Sequence, residues 1–100
     1  MKTFIVRYKV KADKAAENIA FIKQVFAELE KTKPEGIRYV SFVLEDGLSF
    51  VHVASIEAAD DSNPLLSLDA FKAFGKDIAS RCDEPPKPVP ASVVGSYQVF

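Results

Sequence analysis

The chain has 100 residues, 48% of them hydrophobic, and a formal net charge of −1 at pH 7. This size predicts a single domain over residues 1–100, and the balanced charge argues against nucleic acid as a partner. One cysteine excludes an internal disulfide, and no apolar run reaches the roughly 20 residues of a membrane span, so we expect a cytoplasmic protein without a membrane partner.

The first two elements are predicted from a change of period. Residues 3–11 alternate between apolar and polar side chains, which predicts a strand. Asp13 is placed to cap a helix that follows. The apolar residues then recur every three or four positions, as in an amphipathic helix: Ala15, Ile19, Ile22, Phe26 and Leu29. Pro34 and Gly36 end this helix.

The segment from Ile37 to Ile56 predicts a β-hairpin around Asp46-Gly47. A two-residue turn with positive φ at both residues sets the pairing of the strands, so that Ser41 lies opposite His52. Because side chains alternate between the faces of a strand, one face of the hairpin is mainly apolar and the other is mixed. The apolar face carries Val40, Phe42, Val51 and Val53. The mixed face carries Tyr39, Ser41, Val43, Phe50, His52 and Ala54.

The last third of the chain predicts a helix, a connector and a strand. The helix starts at Asn63 or Ser67, and its apolar residues again recur every three or four positions: Leu68, Phe71, Phe74, Ile78 and Cys82. The stretch from Glu84 to Pro90 holds four of the six prolines and predicts an extended connector. Val93 to Phe100 is the predicted last strand.

The order of elements predicts a ferredoxin-like α+β fold, βαββαβ, with a four-stranded antiparallel sheet. Right-handed crossovers give the strand order 2-3-1-4 and put two helices on one face. We expect the helix-covered face to carry Val40, Phe42, Val51, Val53, Phe4, Val6 and Tyr8. We expect the open face to carry Ile5, Arg7, Tyr39, Val43, Phe50 and His52. A half-apolar open sheet face is larger than monomers usually expose, which predicts a homodimer with sheet facing sheet.

The block FKAFGKDIASRCDEPP at residues 71–86, followed by VVGSY at residues 93–97, resembles the dimeric α+β barrel superfamily. This group includes the antibiotic-biosynthesis-monooxygenase-like and stress-responsive barrel proteins, and the resemblance is to small uncharacterised bacterial members. It implies a homodimer in which two sheets enclose a cavity for a small, often aromatic ligand. Haem-degrading relatives use an Asn on the first strand, a Trp, and a His on the second helix. This sequence has none of the three at those places, so no cofactor is expected.

His52 is the first candidate catalytic residue because an imidazole exchanges protons near neutral pH. Arg7 is the second, since a guanidinium on the open face can hold a carboxylate or an enolate. Tyr39, Ser41 and Phe50 are the candidate ligand-binding residues around His52. One histidine with tyrosine and serine neighbours does not make a metal site, so no metal is expected.

Two functions remain open from the sequence, and it does not decide whether the protein is an enzyme. The first is a small-molecule-binding barrel protein, as a cofactor-independent monooxygenase or isomerase acting on an enolisable or aromatic compound. The alternative is a non-catalytic dimeric binding or accessory protein whose open sheet face is only a dimer interface. An open, polar-lined cavity supports the first, and a filled one supports the second.

Overall fold

The computed structural model describes residues 2–57 and 63–99. The elements in chain order are β1 (Lys2–Val10), α1 (Ala15–Thr32), β2 (Ile37–Val43), β3 (Ser49–Ile56), α2 (Asp69–Gly75), α3 (Ile78–Arg81) and β4 (Cys82–Ala91). All neighbouring strands pair antiparallel in the order β2-β3-β1-β4. The ferredoxin-like α+β plan is confirmed. None of the helices described is both long and apolar enough to cross a membrane.

The start of α1 differs from the prediction. A 3-10 turn over Ala12–Lys14 precedes the helix, and the backbone N–H of Lys14 donates to the carbonyl of Lys11 at 2.9 Å. No side chain caps α1, so the predicted Asp13 cap is wrong. At the other end Lys33 is left-handed, with φ 45°, and its N–H donates to Leu29 at 2.8 Å. That bond satisfies a terminal carbonyl of the helix.

The hairpin has the predicted register on a different turn. Ser41 lies opposite His52 and Val43 opposite Phe50, as expected. Of the two turn residues only Gly47 has positive φ, 73°, because the loop is longer than two residues. It closes with bonds from Leu44 N to Ser49 O and from Gly47 N to Leu44 O. The Asp46 carboxylate accepts from the backbone N–H of Ser49 at 2.8 Å, which stabilises the loop.

The two faces of the hairpin are reversed relative to the prediction. β1 pairs with β3 so that Val6 lies opposite His52 and Tyr8 opposite Phe50, and directly opposed residues share a face. The helix-covered face therefore carries the mixed set, with Tyr8, Phe50 and His52 all buried. The hairpin face that carries Val40, Phe42, Val51 and Val53 is the open one. The prediction failed because an apolar face was taken for the core, whereas the polar groups of the mixed face satisfy one another.

The open face carries an apolar row across all four strands. The register places Val40, Val53, Ile5 and Val89 side by side, one from each strand. Three of these four side chains are exposed in the protomer, Ile5 at 39%. Arg7 lies on this face too, opposite Val51, and not beside His52.

The last third of the chain differs most from the prediction. The predicted long helix is broken into a 3-10 turn, α2 and α3, and Asp77 between the two helices is left-handed with φ 59°. Cys82 begins β4 instead of ending a helix, and the proline-rich stretch is itself the fourth strand. The predicted strand over residues 93–100 is not a strand over its described residues 93–99, which contain bends, and Phe100 lies outside the described residues.

β4 accommodates its prolines because it is an edge strand. Pro88 lies opposite Val6 and Pro90 opposite Phe4. Alternate residues of an antiparallel strand direct their N–H groups to the same neighbour, so prolines two apart can all turn their nitrogens away from β1. Pro85 and Pro86 both lie opposite Tyr8, between the pairs Arg7–Lys87 and Lys9–Glu84, where the register shifts as at a β-bulge.

The segment after β4 returns across one end of the open face. It starts beyond Ala91, and the guanidinium of Arg38 on the far edge strand donates to the carbonyl of Val99 at 3.2 Å. The residues of that register row between the two edges are Thr3 and Ser55. Both are buried, and their hydroxyls bond each other at 2.8 Å. The rest of the open face stays uncovered.

Candidate functional site

A cavity of about 390 Å³ lies between the sheet and α2. Its floor is the mixed face of the sheet, and its roof is α2 with the turn before it. Most of the wall is apolar or aromatic, and the polar groups gather at His52. The lining residues that the argument uses are Tyr8, Tyr39, His52, Phe71, Phe74 and Pro88. A concave, mostly apolar pocket with a few convergent polar groups is the usual form of a small-molecule site.

The roof is fixed at both ends by side chains from outside α2. The carboxylate of Glu28 on α1 accepts from the N–H groups of Asp69 at 3.2 Å and Ala70 at 2.7 Å. The guanidinium of Arg81 donates to the carbonyl of Phe74 at 2.6 Å at the other end. An acid at the start and a cation at the end of a helix both match its dipole. The short helix is therefore held in place over the cavity.

His52 is bonded through both ring nitrogens. Its Nε2 lies 2.8 Å from the hydroxyl of Tyr8. Its Nδ1 lies 2.8 Å from the hydroxyl of Tyr39 and 2.6 Å from that of Ser41. The network extends to α1, where Asn18 Nδ2 donates to the Tyr8 hydroxyl at 2.9 Å. We call these five residues the His52 network.

Aromatic rings fix the plane of the imidazole. The rings of Tyr8 and Tyr39 stack on either side, with centroids 5.3 Å and 5.8 Å from that of His52. Phe74 approaches from the roof at 5.6 Å. Only 4% of the His52 surface is exposed. The ring therefore has one orientation, set by stacking and by three hydroxyl groups.

Burial keeps the network uncharged. It lowers the pKa of His52 from 6.5 to about 4 because water no longer stabilises the imidazolium. Burial also raises the pKa of Tyr39 to about 12. The pKa of Tyr8 lies well above its ordinary value for the same reason, although the Asn18 bond opposes that shift. At pH 7 the site therefore holds a neutral imidazole between two neutral phenols.

This pKa predicts that lowering the pH destabilises the fold through His52. Between about pH 4 and 6.5 the unfolded chain binds a proton that the folded chain does not, so stability falls as the pH falls through that window. A shift of this size corresponds to about 3 kcal/mol. Urea unfolding at pH 7 and pH 4 measures it. His52→Gln should lose this pH dependence, and Asp46 adds little to it because the pKa shift of that carboxylate, from 3.8 to about 2, lies below the window. An unchanged slope would contradict the assignment.

The structure brings together four of the five predicted site residues. Tyr39 and Ser41 bond His52, and Phe50 stacks on Tyr8 with ring centroids 5.5 Å apart. Arg7 is separated from them by the sheet. The site also lies under the helices and not on the open face, so the expectation that His52 faces a second sheet is wrong.

Tyr8, Asn18 and Phe74 belong to the site and were not singled out from the sequence. Tyr8 and Phe74 were taken as ordinary apolar positions of a strand and a helix. Asn18 is completely buried on the helix face that contacts the sheet, where an amide is unusual. A polar residue between the apolar positions Ala15 and Ile22 was the signal that could have found it.

Within the described part of the chain, no group of three or more His, Cys, Asp or Glu side chains could hold a metal ion. Cys82 is buried, and burial raises the pKa of its thiol. In the cavity, His52 and the hydroxyls of Tyr8 and Tyr39 can form hydrogen bonds and transfer protons.

Solved structures share this fold over nearly the whole chain. One of them, from Nitrosomonas europaea, is described as a putative antibiotic biosynthesis monooxygenase. It aligns with TM-score 0.75 at 18% identity, covering 93% of this chain and 89% of that one. SnoaB from Streptomyces nogalater, a cofactor-independent oxygenase, aligns with TM-score 0.69 at 16% identity, covering 97% and 96%. A conserved protein from Methanosarcina mazei Go1 aligns with TM-score 0.71 at 17% identity, covering 90% and 89%.

Comparison with family models and with curated proteins finds no match. At these identities the structural likeness shows a common fold, as the resemblance in the sequence implied. The activity has to be argued from the cavity itself.

Proposed function

We propose that the protein binds a small, mostly apolar molecule with one hydroxyl or ketone group in the cavity, and that His52 accepts a proton from it. The observation that carries this proposal is a neutral imidazole, bonded at both nitrogens, in a cavity wall that is mostly apolar. A buried polar network of this kind positions a ligand's single polar group. The likeness to a cofactor-independent oxygenase supports the same direction.

The proton transfer passes through a tyrosine hydroxyl, because both ring nitrogens already face hydroxyl groups. The ligand gives its proton to Tyr8 Oη while the proton of Tyr8 moves to His52 Nε2. The products are an enolate or phenolate, a neutral tyrosine and an imidazolium. A low pKa makes that imidazolium a strong acid, which favours rapid return of the proton. This chemistry suits isomerisation of an enolisable compound, or a short-lived enolate that reacts with dioxygen.

A charged ligand does not suit the cavity. Among the described residues that line it there is no lysine, arginine or carboxylate. In this proposal the charge of an enolate is stabilised by the hydroxyls of Tyr8 and Tyr39, while Arg7 on the open face has no contact with the ligand. We therefore expect neutral aromatic phenols and ketones to bind better than aromatic carboxylates.

Binding is tested with 1-naphthol, naphthalene and 1-naphthoate as probes. The chain has one histidine, so its ring resonances are assigned without ambiguity. We expect 1-naphthol to shift them saturably and to bind about tenfold tighter than naphthalene, since one hydrogen bond contributes about 1–1.5 kcal/mol. His52→Phe should remove the tenfold preference and leave naphthalene binding unchanged.

Tyr97→Phe is the matched control, because Tyr97 is an exposed tyrosine outside the cavity lining. It should leave the affinity for both probes unchanged. If none of the three probes moves the His52 signals at millimolar concentration, the proposed ligand site is wrong. The non-catalytic alternative would then be the better account of the protein.

We also propose that two copies join through the open sheet face. The apolar row of Val40, Val53, Ile5 and Val89 supports this, because water otherwise covers an apolar stripe that crosses the whole sheet. A second copy presents the same stripe and can cover it about a two-fold axis. The ligand cavity lies on the other side of the sheet, within one protomer. A cytoplasmic location stays a prediction.

A further inference from the structure

The hydroxyl of Tyr8 has two partners and one hydrogen. It lies between Asn18 Nδ2 at 2.9 Å and His52 Nε2 at 2.8 Å. The amide nitrogen can only donate, so Tyr8 accepts from Asn18 and its own hydrogen points to His52. His52 Nε2 is then the acceptor, and the proton of the neutral ring is on Nδ1. There it can donate to Ser41 or Tyr39.

Protonation of His52 reverses the bond to Tyr8. The added proton is on Nε2, so this nitrogen becomes a donor and the Tyr8 oxygen becomes its acceptor. The hydrogen of Tyr8 must then point to another acceptor. In the observed orientation the neighbour on that side is the Asn18 amide nitrogen, which cannot accept. Without a change at Asn18, the imidazolium would leave one buried hydrogen unpaired.

Asn18 carries the acceptor that this state needs. Its Oδ1 is buried and has no hydrogen-bond partner among the described residues, and Asn18 as a whole is 0% exposed. An unpaired buried carbonyl is costly and therefore uncommon. Rotation of the amide by half a turn exchanges Nδ2 and Oδ1 and presents the carbonyl to Tyr8. The unpaired oxygen is thus explained as the acceptor of the second protonation state.

We infer that Asn18 is a positioning residue whose amide presents Nδ2 to Tyr8 when His52 is neutral and Oδ1 when His52 is protonated. Tyr8 can then serve the imidazole as a donor in one state and as an acceptor in the other. In the ligand-free protein, the amide has to turn each time His52 takes up a proton. The two orientations themselves need no ligand.

Other titratable groups near the network change less between the two states. Tyr39 faces His52 from β2, while Arg81 of α3 and Cys82 of β4 act electrostatically on Tyr8. Tyr39 and Ser41 contact Nδ1, which carries a proton in both states. Only the Nε2 side, with Tyr8 and Asn18, has to reverse its donors and acceptors.

The first test measures the wild-type protein by nitrogen NMR of its single histidine. At pH 7 we expect the proton on Nδ1, and an Nε2-protonated ring would overturn the inference. The pKa of His52 is then followed by pH titration in two variants. Asn18→Asp supplies an acceptor and should raise this pKa by one unit or more. Asn18→Leu removes the acceptor and should lower it.

The Asn18→Asp variant is also made in a Tyr8→Phe background. This separates the direct effect of the new charge on the pKa of His52 from an effect through the hydrogen bonds of Tyr8. If the coupling runs through the hydroxyl, the rise caused by Asn18→Asp should shrink by at least half in the Tyr8→Phe background. An unreduced rise would overturn the inference. Val25→Ala is the matched control for packing, because Val25 is buried on the same helix without a bond to Tyr8. It should leave the pKa of His52 unchanged. None of these measurements uses a ligand, so they still decide the inference if the naphthol test fails.

Discussion

Replacing His52 with glutamine should slow protein-catalysed exchange of the α-protons of 2-tetralone with heavy water by at least about 10²-fold. A positioned general base contributes about 10²–10⁴-fold to such a step. 2-Tetralone is neutral, aromatic and enolisable, and so has the properties that the cavity favours. Glutamine can still bond the hydroxyls around it but cannot take up a proton at neutral pH. The loss of rate is therefore separated from a loss of packing.

Proton NMR of the ketone in heavy water measures the exchange, and the unchanged binding of 1-naphthol checks that the cavity of the His52→Gln variant is intact. Ser41→Ala removes one hydroxyl from Nδ1 and should slow exchange much less, because Tyr39 still contacts that nitrogen. Equal rates in the wild type and His52→Gln would rule out His52 as the base. A wild-type protein that binds naphthol without any exchange would be a binding protein.

Replacing Ile5 with lysine should convert the proposed dimer into monomers at micromolar concentration. Ile5 lies in the middle of the apolar row, on an inner strand of the sheet. A lysine there would bury an unpaired charge in the dimer, at a cost of about 3–5 kcal/mol. This corresponds to a rise of about 10²–10⁴-fold in the dissociation constant. Sedimentation velocity over a range of concentrations measures it.

Val43→Lys is the matched control for this experiment. Val43 is 49% exposed, compared with 39% for Ile5, but it belongs to the other face of the sheet. It should leave the dimer intact and have little effect on folding. A wild-type protein that sediments at 11 kDa at all concentrations, or equal dissociation by both variants, would contradict the proposed interface.

The sequence was sufficient for the order of strands because local patterns specify it. Alternation marks β1, the period of three and four marks α1, and the Asp46-Gly47 hairpin sets a register that the structure confirms although the turn is longer. The faces could not be read from the hairpin alone. They depend on the pairing of β1 with β3, a contact between residues 40 or more positions apart. The greater apolarity of one face does not decide which face the helices cover.

β4 was missed for a related reason. A proline cannot donate to a ladder, so the proline-rich stretch predicted a connector, and the valine-rich end of the chain predicted a strand. An edge strand needs donors on one side only, which removes the objection once the strand order is known. The candidate site was likewise predicted only where its residues are neighbours within the hairpin. His52, Tyr39 and Ser41 are cross-strand neighbours and were found together, whereas Tyr8 and Asn18 join them only through tertiary packing.

The prolines of β4 also limit the size of the assemblies that this protein can form by pairing its sheet edges. Fibre growth by pairing of strands between copies requires two sheet edges on every copy that can accept a strand. Each added copy then leaves one unpaired edge for the next. Pro86, Pro88 and Pro90 deny donors to the outer side of β4, which leaves β2 as the one edge able to accept a strand. When two copies pair through β2, each copy has no further edge that can accept a strand. Association by edges therefore stops at a pair, and the chain is protected against fibre growth from its native state.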